Sequence, residues 1–213
     1  MSRQKSKAHN QAVYASLIEM GHANPPDSDE DDDESGSQTP NNRMKKFRFQ
    51  LFHEWLVAEI APCRVADIGG GKGLLTYLLR KSHWQATVID PVHQELPTKY
   101  KDIHTKKRIL IPASDKVPRI NRVFNPAIAG RFDLLLGLHA HGCNIQIIDA
   151  SAANDIGFVL MPCCVIDEPL YPVHGITWVQ SLTDYAIRQG FQVRPFQLAF
   201  SGQSIGIYAA RRS

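Results

Sequence analysis

A cluster of glycines follows a short apolar run that contains an acidic residue. Residues 65–73 read VADIGGGKG, with the acid at Asp67, and apolar residues recur at helical spacing from Leu74 onward. This order predicts a strand, a tight turn and a helix N-terminus. Glycine tolerates positive φ and lets a ligand approach the main chain closely, and a helix N-terminus attracts anionic groups. Residues 65–73 are therefore predicted to form a ligand-binding loop.

The glycine spacing separates this loop from two familiar nucleotide-binding loops. Gly69, Gly71 and Gly73 give the pattern G-x-G-x-G, whereas the dinucleotide fingerprint G-x-G-x-x-G needs glycine where Leu74 stands. A phosphate-binding loop needs serine or threonine after its lysine, and here Gly73 follows Lys72. A plain strand–helix turn that binds nothing is the alternative.

A second acid supports a nucleotide-like ligand. Asp90 ends the next apolar run, residues 85–89, and lies 23 residues after Asp67. At about this spacing a carboxylate at the end of a second strand accepts hydrogen bonds from the ribose hydroxyls of an adenosine group. The alternative is that Asp90 only caps the turn before Pro91.

Histidines and cysteines follow two later apolar runs. His139, His141 and Cys143 come after residues 132–138, and Cys163 and Cys164 end the run that starts at residue 157. A neutral imidazole can accept a proton near pH 7, a thiolate can add to a pyrimidine base, and both groups bind zinc. The spacing H-x-H-x-C is not typical of structural zinc, so no metal site is predicted. A zinc site that combines these histidines and cysteines is kept as an alternative.

The elements that position these residues alternate between strand and helix. This alternation predicts an α/β fold with a doubly wound, mostly parallel, seven-stranded Rossmann-like sheet that has one antiparallel edge strand. We predict strands at 65–68, 85–89, 108–112, 132–138, 157–166, 191–198 and 204–209, and helices at 44–60, 74–81, 145–153 and 178–187. Ligands bind outside the carboxyl ends of the strands in such sheets, which is where the polar residues fall.

Charge divides the chain of 213 residues into two parts. Residues 1–42 are predicted to be an N-terminal extension, with a marginal, frayed helix up to residue 21 and a disordered linker whose acids crowd residues 27–34. Residues 43–213 are predicted to be the functional domain. From residue 41 onward the sequence has 21 Lys and Arg against 13 Asp and Glu, a net charge of +8. The basic region 99–131 is therefore predicted to contact a polyanion such as RNA.

The four cysteines do not form a disulfide pattern, since two are adjacent and the sequence has no secretion signal. No apolar run approaches the length of a membrane span. We therefore predict a soluble cytoplasmic protein without a membrane partner. The sequence makes no prediction of its oligomeric state.

Two short motifs resemble a known enzyme family. The acid-x-G-x-G-x-G pattern of residues 67–73 resembles motif I of class I S-adenosylmethionine-dependent methyltransferases. Residues 137–142, GLHAHG, resemble the G-x-H-x-C-G motif of a methyltransferase group that includes the eukaryotic tRNA acceptor-stem 2′-O-methyltransferases, and residues 161–164, MPCC, resemble its P-C-C element. The resemblance covers about residues 47–210. His141 stands where that group has cysteine.

This resemblance implies S-adenosyl-L-methionine as the cofactor and methyl transfer as the reaction. The residues implied in cofactor binding are Asp67, Gly69, Gly71, Gly73, Asp90 and Asp115, the last as a partner of the adenine amino group. His139 or His141 is implied as a catalytic base toward a ribose hydroxyl, and the implied substrate is a tRNA-like RNA. The alternatives are a protein or small-molecule methyltransferase, and a catalytically silent factor that binds RNA or assists assembly.

Overall fold

The computed structural model describes residues 3–21, 45–200 and 202–210. The predicted acidic linker falls almost entirely on residues 22–44, which lie outside the described residues.

A seven-stranded sheet forms the centre of the protein and confirms the predicted fold class. Its strands are β1 (Arg64–Ile68), β2 (Gln85–Ile89), β5 (Arg119–Ile120), β6 (Leu134–Leu138), β7 (Gly157–Met161), β8 (Val193–Gln197) and β9 (Ile205–Ala209), in the spatial order β5-β2-β1-β6-β7-β9-β8. Only β9 runs against the others, and it pairs with β7 and with the edge strand β8. Every residue of β6 and β7 is buried, because both faces of the sheet are covered.

Within the described residues, five α-helices cover the two faces of the sheet. They are α1 (Arg3–Gly21), α2 (Arg48–Glu59), α3 (Leu74–Lys81), α4 (Asn144–Asn154) and α5 (Trp178–Arg188), with short 3₁₀ helices at Lys45–Phe47 and Pro126–Arg131. Apolar residues of α1, α4 and α5 pack on one face, and those of α2 and α3 pack on the other. Helix α5 begins with the reciprocal hydrogen bonds of a capping box between Thr177 and Gln180.

The N-terminal helix is not frayed at its apolar face, contrary to the sequence expectation. Val13 and Leu17 of α1 are buried in the same core as α4 and α5. Gln180 donates a hydrogen bond from Nε2 to Ser16 Oγ at 2.9 Å. An isolated helix of weak amphipathicity is marginal in water, but burial of a leucine side chain contributes about 1.5–3 kcal/mol. Tertiary packing therefore orders a helix whose sequence alone predicts little.

The strand predicted at 108–112 is present, but its predicted place as the third strand of the main sheet is wrong. Residues Arg108–Leu110 form β4, which pairs in antiparallel fashion with β3 (Lys99–Lys101) in a separate two-stranded sheet. The side chain of Leu110 is 73% exposed, so the apolar character of this segment does not mark a buried strand. The third strand of the main sheet in chain order is β5, which lies at the edge of the sheet and pairs with β2 through two residues only. A strand of two residues has no periodicity that a sequence pattern could detect.

The order of the strands places a crevice at the carboxyl ends of β1 and β6. Both strands pair side by side, and the chain leads outward from β1 to β2 and from β6 to β7. Such a switch point is where open α/β sheets bind ligands. None of the helices within residues 3–21, 45–200 and 202–210 combines the length and apolar character needed to cross a membrane.

Candidate active site

The glycine loop, residues 69–73, lies at the carboxyl end of β1. Gly69, Gly71 and Gly73 all have positive φ, at 67°, 51° and 79°. The turn is closed by a hydrogen bond from Gly73 N to Gly70 O at 2.8 Å, and Gly73 is the N-cap of α3. A Cβ at Gly73 would lie 3.0 Å from the side chain of Val117. The predicted G-x-G-x-G spacing therefore corresponds to three left-handed main-chain positions.

Asp67 lies beneath this loop and does not face the crevice. Its side chain is 2% exposed, and Oδ2 accepts a hydrogen bond from Thr76 Oγ1 at 2.8 Å. Burial raises the pKa of Asp67 to about 6, although the hydrogen bonds from Thr76 and the charge of Arg119 oppose this shift. Asp67 therefore supports the loop from the inside of the protein.

Gly70 is a functional position that the G-x-G-x-G pattern does not include. A Cβ at this residue would lie 2.6 Å from Oδ2 of Asp67, which is closer than Cβ atoms approach other heavy atoms in proteins. The carboxylate beneath the loop therefore explains why a fourth glycine interrupts the spacing. The run of three consecutive glycines at residues 69–71 is the feature of the sequence that could have identified Gly70.

Asp90 joins the glycine loop to the end of β2. Its Oδ2 accepts a hydrogen bond from Gly71 N at 3.0 Å, and its Oδ1 accepts one from Val92 N at 2.8 Å. Each carboxylate oxygen has a second acceptor position, so these bonds leave capacity for the hydroxyls of a ligand. The structure thus brings Asp67, Gly69, Gly71, Gly73 and Asp90 together.

The side chain of Asp115 contacts residues of α3, not the glycine loop or Asp90. Its Oδ2 accepts a hydrogen bond from Tyr77 OH at 3.2 Å and lies 3.2 Å from Nζ of Lys81, so it contacts the outer turns of α3. The polar residue that directly follows the observed third strand is Asn121, whose Oδ1 accepts a hydrogen bond from Arg119 Nε at 3.3 Å. The argument that selected Asp115 therefore selects Asn121 once β5 is known.

Arg119 adds an unsatisfied donor beside the glycine loop. Its Nη1 would lie 3.4 Å from a Cβ at Gly73. This nitrogen is buried and has no hydrogen-bond partner within the residues that the structure describes. A buried N–H group without a partner costs free energy unless a ligand or water accepts its hydrogen bond. Its position is consistent with a ligand that occupies the crevice.

The histidine loop, residues 139–143, lies next to the glycine loop. A Cβ at Gly69 would lie 3.2 Å from Cβ of Ala140, so the two loops are in van der Waals contact. His139 is half-buried, has φ of 56° and donates a hydrogen bond from its main-chain nitrogen to Met161 O at 3.0 Å. His141 is exposed. The predicted catalytic residues and the glycine loop therefore occupy one edge of the sheet.

A buried carboxylate holds the histidine loop against the cysteine loop, residues 162–168. Glu168 is 4% exposed, and its Oε1 accepts hydrogen bonds from the main-chain and side-chain nitrogens of Asn144 at 2.8 and 2.6 Å. Its Oε2 accepts a hydrogen bond from Ile145 N at 3.2 Å. A carboxylate is well placed there, because the first N–H groups of α4 have no partners within the helix. Sequence reasoning missed Glu168, since no spacing links it to Asn144.

The cysteine loop brings both thiols to His141. Cys163 Sγ lies 3.4 Å from Nε2 of His141, and Cys164 Sγ lies 3.1 Å from Nδ1. Burial, with a contribution from the neighbouring Cys164, raises the pKa of Cys163 to about 11. A thiol that stays protonated at neutral pH is a poor nucleophile, which disfavours Cys163 as the residue that adds to a pyrimidine. All four cysteines of the chain are free.

Comparisons with known proteins bear on the fold. No protein-family model matches the chain, and no curated protein matches it in sequence. Among solved structures, the magnesium protoporphyrin IX methyltransferase (ChlM) from Synechocystis PCC 6803, with bound SAM, is 15% identical with a TM-score of 0.51, over 84% of this chain and 87% of that chain.

Two further solved structures are similar. The 1,6-didemethyltoxoflavin-N1-methyltransferase from Burkholderia thailandensis is 14% identical, with a TM-score of 0.49 over all of this chain and 91% of that chain. The ribosomal protein L11 methylase from Lactobacillus delbrueckii subsp. bulgaricus is 15% identical, with a TM-score of 0.48 over 82% and 81%. At these identities the likeness concerns the fold and not the substrate. The chain therefore has the Rossmann-like fold of S-adenosylmethionine-dependent methyltransferases.

Proposed function

We propose that this protein is an S-adenosylmethionine-dependent methyltransferase that acts on RNA, with a tRNA-like molecule as its substrate. The observation that carries the proposal is the contact between Gly69 and Ala140, which joins the glycine loop to the histidine loop. One crevice then holds groups that suit a nucleoside ligand and groups that suit proton transfer. Methyl transfer to a hydroxyl needs both.

The residues of the crevice fit the cofactor. The left-handed glycines leave the main chain open beside β1, and Asp90 retains acceptor capacity for ribose hydroxyls. Asn121 is placed to hydrogen-bond an adenine edge, and the unpartnered Nη1 of Arg119 offers a donor beside the loop. S-adenosylmethionine, when bound, supplies an electrophilic methyl group on a sulfonium.

His139 is the proposed base. Its position directly after β6 places it at the switch point of the sheet, and its main chain is held by Met161. A neutral imidazole accepts the proton that the acceptor hydroxyl loses as it is methylated. His141 was the second candidate, but its two ring nitrogens face the thiols of Cys163 and Cys164.

Two basic surfaces support an RNA substrate. The hairpin of β3 and β4 exposes cationic side chains on both strands and in the turn between them: Lys99, Lys101, Lys107 and Arg108. A cleft of about 560 Å³ lies near the amino ends of β1 and β2, at the opposite edge of the sheet from the crevice, and its lining includes four arginines: Arg64, Arg80, Arg119 and Arg131. Arg64 is paired with Asp133, whereas Arg80 and Arg131 are exposed and have no acidic partner within 3–21, 45–200 and 202–210. Guanidinium groups bind phosphate in bidentate fashion, so the cleft suits a phosphodiester chain.

Binding of S-adenosylhomocysteine tests the cofactor assignment. Calorimetry is expected to show binding to the intact protein and its loss in Asp90→Ala. Glu95→Ala, which removes a nearby exposed acid outside the loop, is the matched control and is expected to bind normally. Thermal melts confirm that both variants are folded. No binding to the intact protein would remove the proposal.

The acceptor is tested with a labelled methyl donor and fractionated extract of cytoplasm, the compartment we propose. Label that nuclease releases supports RNA. Label that resists nuclease and is lost with protease would establish a protein substrate, and label in low-molecular-weight material would establish a small-molecule one. Cofactor binding without any label transfer would favour a silent binding factor.

A further inference from the structure

Three side chains with zinc-binding chemistry meet where the histidine and cysteine loops touch. One ligand atom from each of His141, Cys163 and Cys164 lies within 4.8 Å of the other two. The sulfurs are 3.5 Å apart, and the nearest sulfur–nitrogen distances are 3.1 and 3.4 Å. No carboxylate belongs to this cluster, which the structure brings together from segments 22 residues apart in the chain.

These separations are close to those of ligands around a tetrahedral ion. Zn–S bonds of about 2.3 Å and Zn–N bonds of about 2.0–2.1 Å place two sulfurs about 3.8 Å apart and sulfur and nitrogen about 3.6 Å apart. An ion therefore needs the cluster to widen by a few tenths of an ångström. The imidazole must also turn, because each ring nitrogen now faces one sulfur. His141 is exposed, so its ring has room to rotate.

The two loops are held in this relation by contacts that do not involve the cluster. Glu168 binds the N-terminus of α4 directly after the histidine loop. A Cβ at Gly142, which has φ of 67°, would lie 3.0 Å from Cβ of Asp167, so the main chains of the loops approach closely. The ligands are therefore brought together before an ion arrives, which lowers the ordering cost of binding.

We propose that His141, Cys163 and Cys164 bind one zinc ion through two thiolates and one imidazole, with a fourth position open to water or another small oxygen ligand. Sulfur and imidazole ligands select zinc over magnesium or calcium, which prefer oxygen. A site with three protein ligands and one open position is typical of zinc that takes part in chemistry. The proposal goes beyond the methyltransferase assignment and does not depend on it.

The ligand set differs from the one that the sequence allowed as an alternative. His139 and Cys143 are not in the cluster, although the sequence placed them beside His141. Both supply matched controls, because they lie in the same loop and have the same ligand chemistry. Cys63, half-buried next to β1, supplies a third control that is remote from the loop.

Cobalt(II) titration of the full chain tests the site. The protein is prepared without a histidine tag, freed of metal and fully reduced, with four titratable thiols confirmed in denaturant. One cobalt ion per chain is expected, with the strong near-ultraviolet absorption of thiolate–cobalt bonds, and zinc is expected to displace it. His141→Ala, Cys163→Ser and Cys164→Ser are each expected to weaken binding more than ~100-fold, because loss of an outer-shell partner alone costs ~10–100-fold.

His139→Ala, Cys143→Ser and Cys63→Ser are expected to keep the spectrum and the affinity. No thiolate–cobalt absorption in reduced protein, or unchanged affinity in all three ligand variants, would overturn the proposal. Rapid formation of a disulfide between Cys163 and Cys164 in air with no metal binding would overturn it too. S-adenosylhomocysteine binding, measured on the same samples, keeps the two proposals apart, since either can fail while the other holds.

Discussion

On one side of the crevice the shape of the glycine loop follows from a regular spacing of left-handed glycines. On the other side the histidine loop, which has left-handed positions at His139 and Gly142, also depends on a carboxylate that no spacing marks. Gly69, Gly71 and Gly73 have φ values that other residues rarely adopt, so glycine is needed at each position and the sequence shows a regular glycine spacing. The histidine loop is held by Glu168, which reaches it from beyond the next strand. The glycine spacing is therefore visible in the sequence, whereas the anchor that Glu168 provides is not, because no spacing links Glu168 to Asn144.

The two loops also differ in how well the structure stabilises the ionised form of the buried carboxylate beside each of them. The Asp67 carboxylate accepts hydrogen bonds from the side chain and main chain of Thr76, and burial nevertheless raises its pKa to about 6. Glu168 accepts three hydrogen bonds at a helix N-terminus, which is a favourable place for a carboxylate. We therefore expect the first carboxylate to lower stability when ionised and the second to be required for stability.

Glu168→Ala is expected to produce the largest effect. The change removes the acceptor of three buried N–H groups, which are the main-chain N–H groups of Asn144 and Ile145 and one N–H of the Asn144 amide. The amide nitrogen keeps its other hydrogen bond, to Ala140 O. Each unsatisfied donor costs about 1–3 kcal/mol, and partial entry of water offsets some of this, so we expect a loss of about 3–4 kcal/mol in the free energy of unfolding. Urea denaturation measures it. Glu168→Gln keeps the volume of the side chain and one acceptor, so its stability is expected to lie between those of the unchanged protein and Glu168→Ala. A loss below about 0.5 kcal/mol in Glu168→Ala would contradict the stabilising role of Glu168.

The titration of Asp67 gives the next effect. An unfolded aspartate titrates near pH 4, and the folded one near 6, so the folded chain retains the proton between these values. The contribution of Asp67 to the free energy of unfolding is then highest below about pH 4 and falls as pH rises to about 6, by up to about 3 kcal/mol. Asp67→Asn is expected to lose this slope in stability curves measured from pH 4 to 8. Asp184→Asn, at a half-exposed surface carboxylate, should keep it, and equal slopes in all three proteins would contradict the assignment.

Gly70→Ala tests the contact between the glycine loop and Asp67. The new Cβ would lie 2.6 Å from Oδ2, and the strain of such overpacking is about 2 kcal/mol. We expect a loss of that size together with weaker S-adenosylhomocysteine binding. The double variant Gly70→Ala/Asp67→Ala should be more stable than the sum of the single effects predicts, because the carboxylate that collides has been removed. Simple additivity would show that the loop moves away freely.

The sequence predicted the elements whose residues repeat and missed those that depend on distant contacts. Buried strand β6 and helix α4 lie where they were predicted, and β7 begins where predicted but ends at Met161, because runs of apolar residues are a local signal. Helix α1 gains order only through burial against α5 and β8, and β5 is too short to leave a pattern. The same limit applies to the site, where the glycines and Asp90 come together as predicted, while Glu168 and the two thiols beside His141 required the structure.

The smallest expected effect is a change in cofactor affinity that tells whether Asn121 or Asp115 contacts the adenine group. Because Asn121 follows β5 directly, Asn121→Ala is expected to weaken S-adenosylhomocysteine binding ~5-fold, the value of one hydrogen bond of about 1 kcal/mol. Asp115→Ala is expected to leave the affinity unchanged, because that carboxylate contacts Tyr77 and Lys81 on α3. Calorimetry on both variants at one ionic strength decides the matter. If Asp115→Ala lost affinity and Asn121→Ala kept it, the segment that follows β4, and not the end of β5, would supply the contact to the ligand.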